Sequence, residues 1–250
     1  LNSKLAQIVI GVRRSGKSTL CMKVLMQSGV HFAYVNFDDE RLQKVGVEEL
    51  DVILQELYAI YGSFTHLFLD EVQNVDGWHL FVNRLLRQGI KLVLTGSELS
   101  THLTGRYHQI ELYPFSFSEY CTIRGVDAHG MTTKAYGLRD KALDEYLMSG
   151  GFPELIASPE ISKRDYLFSL REAIVKKDIC QRYKIRYKQT LSDLANRLLD
   201  WFCQEKSYND IAKEMSINSV HTIKNYITYL QNAYLLCLLP KFSLKSSERN

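Results

Sequence analysis

Long apolar runs are missing from this sequence. No stretch reaches the roughly 18 to 20 apolar residues that a membrane-spanning helix needs, so we expect no membrane partner. The five cysteines stand singly, without a C-x-x-C pair, which argues against both a zinc site and a disulfide framework. We also find no signal-peptide pattern after Leu1 and therefore expect a cytoplasmic protein.

The net charge is small, but it is unevenly distributed. The whole chain of 250 residues carries +3, with 46% hydrophobic and 24% charged residues, as is usual for globular proteins. Residues 1–159 contain 15 Lys and Arg against 18 Asp and Glu, whereas residues 160–250 contain 16 against 10. An acidic partner such as DNA is therefore expected at the C-terminal part.

A glycine-rich loop near the start separates an apolar run from the apolar face of a helix. Residues 11–18 read G-x-x-x-x-G-K-S, the spacing of a phosphate-binding P-loop. The two glycines let backbone N–H groups turn towards phosphate oxygens, Lys17 adds a positive charge, and Ser18 is an oxygen ligand suited to Mg²⁺. We predict that a nucleoside triphosphate is bound by Gly11, Val12, Arg13, Arg14, Ser15, Gly16, Lys17, Ser18 and Thr19.

A second apolar run ends in two carboxylates about fifty residues further on. The run 67–69 has no polar alternation, which predicts a strand buried on both faces, and Asp70 and Glu71 follow it directly. Ligands of open α/β sheets bind at this edge. We predict that this Walker B pattern supplies Asp70 as a magnesium ligand and Glu71 as the base that activates water.

The apolar periodicity predicts an α/β fold with a parallel sheet flanked by helices. The next buried strand ends in Thr95 and Ser97, either of which would sense the γ-phosphate or position water, or would simply form a turn. Ser116 and Glu119 have the spacing of a capping box that opens a helix. Predicted strands lie at 8–10, 32–37, 67–71, 91–97 and 110–114, and sheet-covering helices at 19–27, 47–61 and 78–87.

Beyond Leu138 the strand pattern gives way to helices, predicted at 140–148 and 164–182 and suited to a lid over the nucleotide. Six basic residues and one acid lie between Lys176 and Lys188. Such a run is usually a solvated face, but it would also suit contacts with DNA phosphates or an arginine acting on a neighbouring subunit.

The last fifty residues predict a helix-turn-helix, with helices at 208–215 and 220–230. The apolar segments 235–239 and 241–244 would then form the strands of a wing. Four residues lie off the apolar stripe of the second helix, where base or phosphate contacts are made in DNA-binding proteins, and a packing role is the alternative. These candidate DNA contacts are His221, Thr222, Lys224 and Asn225.

Taken together, the motifs resemble a large prokaryotic family of AAA-type P-loop ATPases. In that family an AAA core is joined to a winged helix and to a C-terminal nuclease-like domain of unknown function, and we expect that last domain to be absent from this chain. The resemblance rests on residues 11–19, 69–73, 94–97, 103–106, 112–120 and 150–154.

The resemblance implies several features that the spacing alone does not give. It implies the strand order 5-1-4-3-2, a sensor role for Thr95, and an arginine-finger or sensor role for Arg106, which spacing alone would leave as a surface arginine. It places Pro153, in the run Gly151-Phe152-Pro153, near the adenine, and it favours ATP. The implied domains are an ATPase core at 1–135, a helical lid at 136–200 and a winged helix-turn-helix at 201–250.

Three functional hypotheses follow from these patterns. The first is a Mg²⁺-dependent ATPase, a hydrolase whose turnover drives a conformational change of the winged helix, with homo-oligomerisation as an option. The second is an ATP-gated switch for DNA or protein binding with negligible turnover. The third is a DNA-binding regulator with a vestigial P-loop, whose salt-sensitive binding to duplex DNA would ignore ATP.

Overall fold

The computed structural model describes residues 3–42, 45–96, 103 and 105–239. The chain divides into two compact units, Leu1–Lys163 and Arg164–Asn250. Ser97 and the predicted wing strand at 241–244 lie outside the described residues. Within the described ranges, no helix is both long and apolar enough to cross a membrane.

The first unit is built on a parallel five-stranded sheet. Its strands are β1 (Ala6–Gly11), β2 (Phe32–Asn36), β3 (His66–Asp70), β4 (Lys91–Thr95) and β5 (Tyr107–Leu112). They are ordered β2-β3-β4-β1-β5, and this confirms the predicted order 5-1-4-3-2, read from the other edge. Because β3 lies inside the sheet and is covered on both faces, all five of its residues are buried.

Three helices contact this sheet, namely α1 (Lys17–Gln27), α2 (Leu50–Tyr61) and α3 (Trp78–Arg87). Three more, α4 (Phe117–Arg124), α5 (Thr133–Ser149) and α6 (Pro153–Ala157), contribute to a separate apolar cluster. In α3 the buried residues Trp78, Phe81, Val82 and Leu85 recur at the helical spacing that predicts this helix. Burying each such side chain stabilises the fold by roughly 1.5 to 3 kcal/mol.

The second unit is helical in its described part. It contains α7 (Lys163–Ala173), a π-helical segment (Ile174–Gln181), α8 (Lys188–Asp200), α9 (Tyr208–Glu214) and α10 (Val220–Asn232). The helices α9 and α10 contact each other across the turn at 215–219 and bury Ile211, Ile223 and Leu230. Helix, turn and helix are therefore present. Residues 235–239 have no regular secondary structure, so the wing remains a prediction.

Several boundaries differ from those predicted. The strand β5 begins at Tyr107 instead of 110, because it is an edge strand whose polar residues are exposed and give no apolar run. Helix α5 begins at Thr133 instead of 140, where the Thr132 side chain accepts a hydrogen bond from the backbone N–H of Ala135 (3.2 Å). The predicted lid at 136–200 has α5 and α6 in the first unit, and α8 with nearly all of α7 in the second.

Candidate functional site

The loop between β1 and α1 has the backbone that its glycines predict. Gly11 has φ 139° and Gly16, the N-cap of α1, has φ 93°, both in the region that favours glycine. A Cβ on Gly11 would lie 2.0 Å from the carbonyl oxygen of Leu112 in β5. The loop therefore depends on glycine at Gly11 for two reasons, the backbone angle and the close approach of the neighbouring strand.

Two polar side chains of the loop are buried. The Lys17 Nζ donates hydrogen bonds to the carbonyl oxygens of Gly11 (3.2 Å) and Val12 (3.0 Å), so the ammonium group lies inside the curve of the loop. Ser15 is 4% exposed, and its Oγ has no hydrogen-bond partner among the described residues. A buried hydroxyl without a partner is costly, so this atom fits a site that is completed by a polar ligand.

The Asp70 carboxylate lies at the C-terminal end of β3, beside the first turn of α1. It is 2% exposed and accepts hydrogen bonds from three hydroxyl groups. At Oδ1 the donors are Ser18 (2.9 Å) and Thr95, and at Oδ2 the donor is Tyr34 (3.2 Å). The structure therefore brings together the two predicted magnesium ligands, Ser18 and Asp70, and places Thr95 against them.

Thr95 also contacts the residue that follows Asp70. Its Oγ1 accepts a hydrogen bond from the backbone N–H of Glu71 (3.2 Å) while donating to Asp70. Glu71 has φ 53°, a left-handed conformation that is uncommon for a residue with a side chain. The buried hydroxyl of Thr95 thus connects the two acidic residues at the point where the backbone turns away from β3.

The Glu71 side chain is held by its own loop. Gln73 donates a hydrogen bond from Nε2 to Glu71 Oε2, and the Oε1 of the same amide is buried without a hydrogen-bond partner in the described part of the chain. Burial raises the pKa of the Glu71 carboxyl, while the charge of Lys17 and the hydrogen bond from Gln73 act in the opposite direction. A carboxyl with a raised pKa is a better proton acceptor, which suits a base that activates water.

Pro153 lies close to the loop. A Cβ built on Gly16 would be 3.8 Å from Pro153 Cγ, and Arg14 forms an ion pair with Glu154 in α6 (3.3 Å). Because both side chains are half exposed, this pair adds little stability. The start of α6 therefore sits beside the phosphate-binding loop, where the resemblance places part of the nucleotide pocket.

The position of α6 depends on a tight backbone contact at Gly151. A Cβ there would lie 1.9 Å from the carbonyl oxygen of Phe115, and the Phe115 N–H donates to the Gly151 carbonyl (2.8 Å). We expect Gly151→Ala to lower the free energy of unfolding by about 1 to 3 kcal/mol, because the backbones must separate. Thermal denaturation measures this loss. In the control variant Gly137→Ala the new methyl group meets open space, and equal melting temperatures for the two variants would contradict the contact.

Arg106 is not brought to the loop of its own chain. Its carbonyl oxygen accepts a hydrogen bond from the N–H of Ala6 (3.0 Å) at the start of β1, whereas the phosphate-binding loop follows Gly11 at the end of that strand. Five strand residues span about 17 Å, which is longer than an arginine side chain. The sequence leaves open whether Arg106 acts in its own chain or in a neighbouring one, and this position favours a neighbouring chain.

The predicted DNA contacts lie in the second unit. On α10, His221 and Lys224 are exposed and Thr222 and Asn225 are partly buried. The Lys224 ammonium lies 5.3 Å from the centre of the Tyr208 ring, at the start of α9. In the basic run, Lys176 is 72% exposed while it pairs with Glu172. The other basic residues of this run that are exposed are Lys177, Lys184, Arg186 and Lys188.

Sequence reasoning missed two residues that touch the acidic pair. Tyr34 occupies a strand position that reads as ordinary apolar alternation, and its hydroxyl reaches Asp70 only through the pairing of β2 with β3. Gln73 was part of the resemblance but received no role, although a glutamine two residues after a candidate base is within reach of it in a tight turn. Of the two, only Gln73 could have been identified from the sequence, through its spacing from Glu71.

The side chains present fit a triphosphate with Mg²⁺. Mg²⁺ is usually bound by one or two carboxylates or hydroxyls together with substrate phosphates, and Ser18 and Asp70 supply that kind of incomplete oxygen set. Within the described residues, no group of three or more His, Cys, Asp or Glu side chains is arranged to hold a metal without such a ligand. The buried Ser15 hydroxyl and the Lys17 ammonium provide polar contacts for the anion.

Comparison with protein families divides the chain in two. Residues 3–121 match a family described as an AAA domain. Residues 140–250 match a family described as a domain of unknown function. The loop, both acidic residues and Thr95 all fall within the first match.

Curated relatives cover most of this chain. An uncharacterized protein of Methanocaldococcus jannaschii is 33% identical over 96% of the chain and 57% of its own length. An uncharacterized protein of Haemophilus influenzae is 31% identical over 96% of the chain and 63% of its own length. The chain thus spans about three fifths of the length of these relatives.

Among solved structures, the replication initiator DnaA bound to AMPPCP and single-stranded DNA aligns with a TM-score of 0.43 and 15% identity. The alignment covers 92% of this chain and 83% of that one.

Proposed function

We propose that this chain is an AAA-type P-loop ATPase that binds ATP with Mg²⁺ and hydrolyses it to ADP and phosphate. The match of residues 3–121 to an AAA domain supports this proposal. The observation that carries the proposal is the contact of Ser18 with Asp70 beside the buried Lys17, with Glu71 next along the chain. These are the groups that phosphoryl transfer to water requires, brought together at one edge of the sheet.

The loop holds the substrate in this proposal. Backbone N–H groups between Gly11 and Gly16 and the Lys17 ammonium bind the phosphate oxygens, and the positive end of α1 adds to their attraction. Ser18 and Asp70 hold Mg²⁺, which when bound neutralises charge on the β and γ phosphates. Pro153 and the start of α6 flank the loop and form part of the nucleotide pocket.

Glu71 is the base for the attacking water. The water oxygen forms a bond to the γ-phosphorus, the bond between that phosphorus and the β–γ bridging oxygen breaks, and the water proton passes to the Glu71 carboxylate. Gln73 and Thr95 position Glu71. The Gln73 amide donates a hydrogen bond to the Glu71 side chain, and the Thr95 hydroxyl accepts one from the Glu71 backbone N–H. The direct test is release of phosphate from ATP, measured with and without Mg²⁺.

Arg106 enters this proposal through a second copy of the chain. Because it lies at the opposite edge of its own sheet, its guanidinium would stabilise the γ-phosphate charge of a neighbour's nucleotide. We expect Arg106→Ala to bind nucleotide with unchanged affinity but to lose concentration-dependent stimulation of hydrolysis. The measurement is the hydrolysis rate per chain as the protein concentration is raised.

Mixing two variants that each lack the stimulated rate provides a sharper form of this prediction. Arg106→Ala keeps an intact loop and Lys17→Ala keeps an intact Arg106, so mixed assemblies of the two should regain part of the stimulated rate. Arg124→Ala serves as the matched control, because Arg124 is an exposed arginine at the end of α4 and does not line the cavity that Arg106 lines. A mixture that hydrolyses ATP no faster than its separate components would contradict the role of Arg106 in a neighbouring subunit.

A second candidate function is an ATP-gated switch that binds DNA or protein with negligible turnover. The excess of positive charge in residues 160–250 and the exposed Lys224 and His221 on α10 favour DNA as the partner. Binding of duplex DNA should then weaken steeply with added salt and respond to ATP. Salt-sensitive binding that ignores ATP would instead favour a regulator whose P-loop no longer functions.

A further inference from the structure

Tyr34 lies on the face of the sheet that α1 covers. Its partner in the register of β2 with β3 is Phe68, and the two ring centres are 5.0 Å apart. Phe68 packs in one buried cluster with Cys21 and Leu25 of α1, and Tyr34 packs against that cluster. The ring of Tyr34 is therefore fixed by apolar contacts that do not involve its hydroxyl group.

The hydroxyl group reaches the carboxylate two residues further along β3. Side chains alternate along a strand, so Asp70 projects from the same face as Phe68. Tyr34 donates to Asp70 Oδ2 (3.2 Å), whereas Ser18 and Thr95 both donate to Oδ1. The two oxygens of this buried carboxylate therefore have different partners, and only Oδ1 faces the Ser18 hydroxyl.

Tyr34 restrains the Asp70 carboxylate through this hydrogen bond, in which the Tyr34 hydroxyl is the donor and Oδ2 is the acceptor. Rotation of the carboxylate would break the bond at Oδ2, because hydrogen bonds weaken steeply when their geometry is lost.

We propose that Tyr34 is a positioning residue for divalent cation binding, which holds Asp70 Oδ2 so that Oδ1 stays on the side of Ser18. The inference rests on the proposed use of Ser18 and Asp70 as magnesium ligands. Outer partners of this kind fix the orientation of a ligand and sharpen the affinity for the metal. Without the hydroxyl, the carboxylate turns more freely and the cation binds more weakly.

The test is Tyr34→Phe, which removes the hydroxyl and leaves the ring in place. Binding of a fluorescent ATP analogue is titrated at increasing Mg²⁺ and, separately, with the metal chelated. The half-saturating Mg²⁺ concentration should rise by about 2- to 10-fold, while the affinity measured without metal stays unchanged. Tyr58→Phe is the control, because its ring also stacks on a phenylalanine (4.5 Å from Phe64) but does not touch the site.

Two further comparisons separate positioning from a general loss of structure. In an Asp70→Asn background, Tyr34→Phe should add no further change in Mg²⁺ dependence, because the carboxylate it orients is gone. An unchanged Mg²⁺ titration in Tyr34→Phe, or an equal loss of affinity with the metal chelated, would overturn the proposal. If the intact protein takes up no ATP analogue under either condition, the proposed function fails first, and the role of Tyr34 fails with it.

Discussion

Glu71→Gln is expected to lower the rate of ATP hydrolysis by about 100- to 10,000-fold while leaving ATP binding intact. The substitution keeps the shape of the side chain and its contact with Gln73, but an amide cannot accept the proton of the attacking water. The backbone hydrogen bond from Glu71 to Thr95 is also retained, so the turn after β3 should be undisturbed. Phosphate release and equilibrium binding of ATP, measured on the same preparation, separate the two effects.

Glu56→Gln is a matched control, because Glu56 is an exposed glutamate on α2. It should hydrolyse ATP at the rate of the intact protein. If Glu71→Gln also leaves a slow rate unchanged, while loss of Lys17 abolishes binding, the chain is a nucleotide-gated switch and not an ATPase. Hydrolysis by Glu71→Gln and nucleotide binding by Lys17→Ala, measured together, therefore decide between an ATPase and a nucleotide-gated switch.

Lys17→Ala is expected to weaken ATP binding by about 10- to 150-fold, the effect of losing one charge-assisted hydrogen bond to a phosphate. The loss should appear with and without Mg²⁺, because the ammonium group contacts the phosphates directly. Hydrolysis at ATP concentrations below saturation should fall at least as far. Calorimetric titration with a non-hydrolysable ATP analogue measures the change in affinity.

Lys23→Ala is the control for charge alone, since Lys23 is an exposed lysine on the same helix. Its affinity for the analogue should equal that of the intact protein. Melting temperatures of both variants should be compared, because removal of Lys17 leaves the carbonyl oxygens of Gly11 and Val12 without their donor. Equal affinities for the two variants in folded protein would show that the loop does not bind phosphate.

The sheet and the acidic pair could be predicted because their signals are local. The spacing of Gly11, Gly16 and Lys17 specifies a backbone shape, and the run before Asp70 has the composition of a strand buried on both faces. The contact between Ser18 and Asp70 follows once β1 and β3 lie parallel on either side of β4, because their C-terminal ends then meet at the same edge of the sheet. The strand order itself came from the family resemblance, because side-chain patterns do not specify which strands are adjacent.

The other residues proposed for the site were harder to predict than the acidic pair itself. Tyr34 contacts Asp70, which lies 36 positions further along the chain, only because β2 pairs with β3, and no local pattern marks such a partner. Arg106 was placed by resemblance, yet the register of β5 with β1 puts it at the far edge of the sheet. Register over such distances depends on the packing of the whole unit.

Some boundaries of helices and strands were predicted incorrectly for a different physical reason. A single helix was predicted over 164–182, but the hydrogen bonding changes to the π-helical pattern at Ile174. The apolar residues Ile174, Val175 and Ile179 stay buried across the change, so the apolar periodicity of the sequence does not distinguish the π-helical segment from the α-helix before it. Exposed edges such as β5 similarly lack the apolar run that marks an inner strand.

The central claim is that the loop around Lys17 holds a triphosphate beside the Asp70 and Glu71 carboxylates. Calorimetric titration of the intact, folded protein with a non-hydrolysable ATP analogue and Mg²⁺ tests it most directly. The structure leads us to expect one analogue bound per chain, with weaker binding once Mg²⁺ is chelated. Absence of any uptake of the ATP analogue, and of the corresponding GTP analogue, by well-folded protein would contradict the claim.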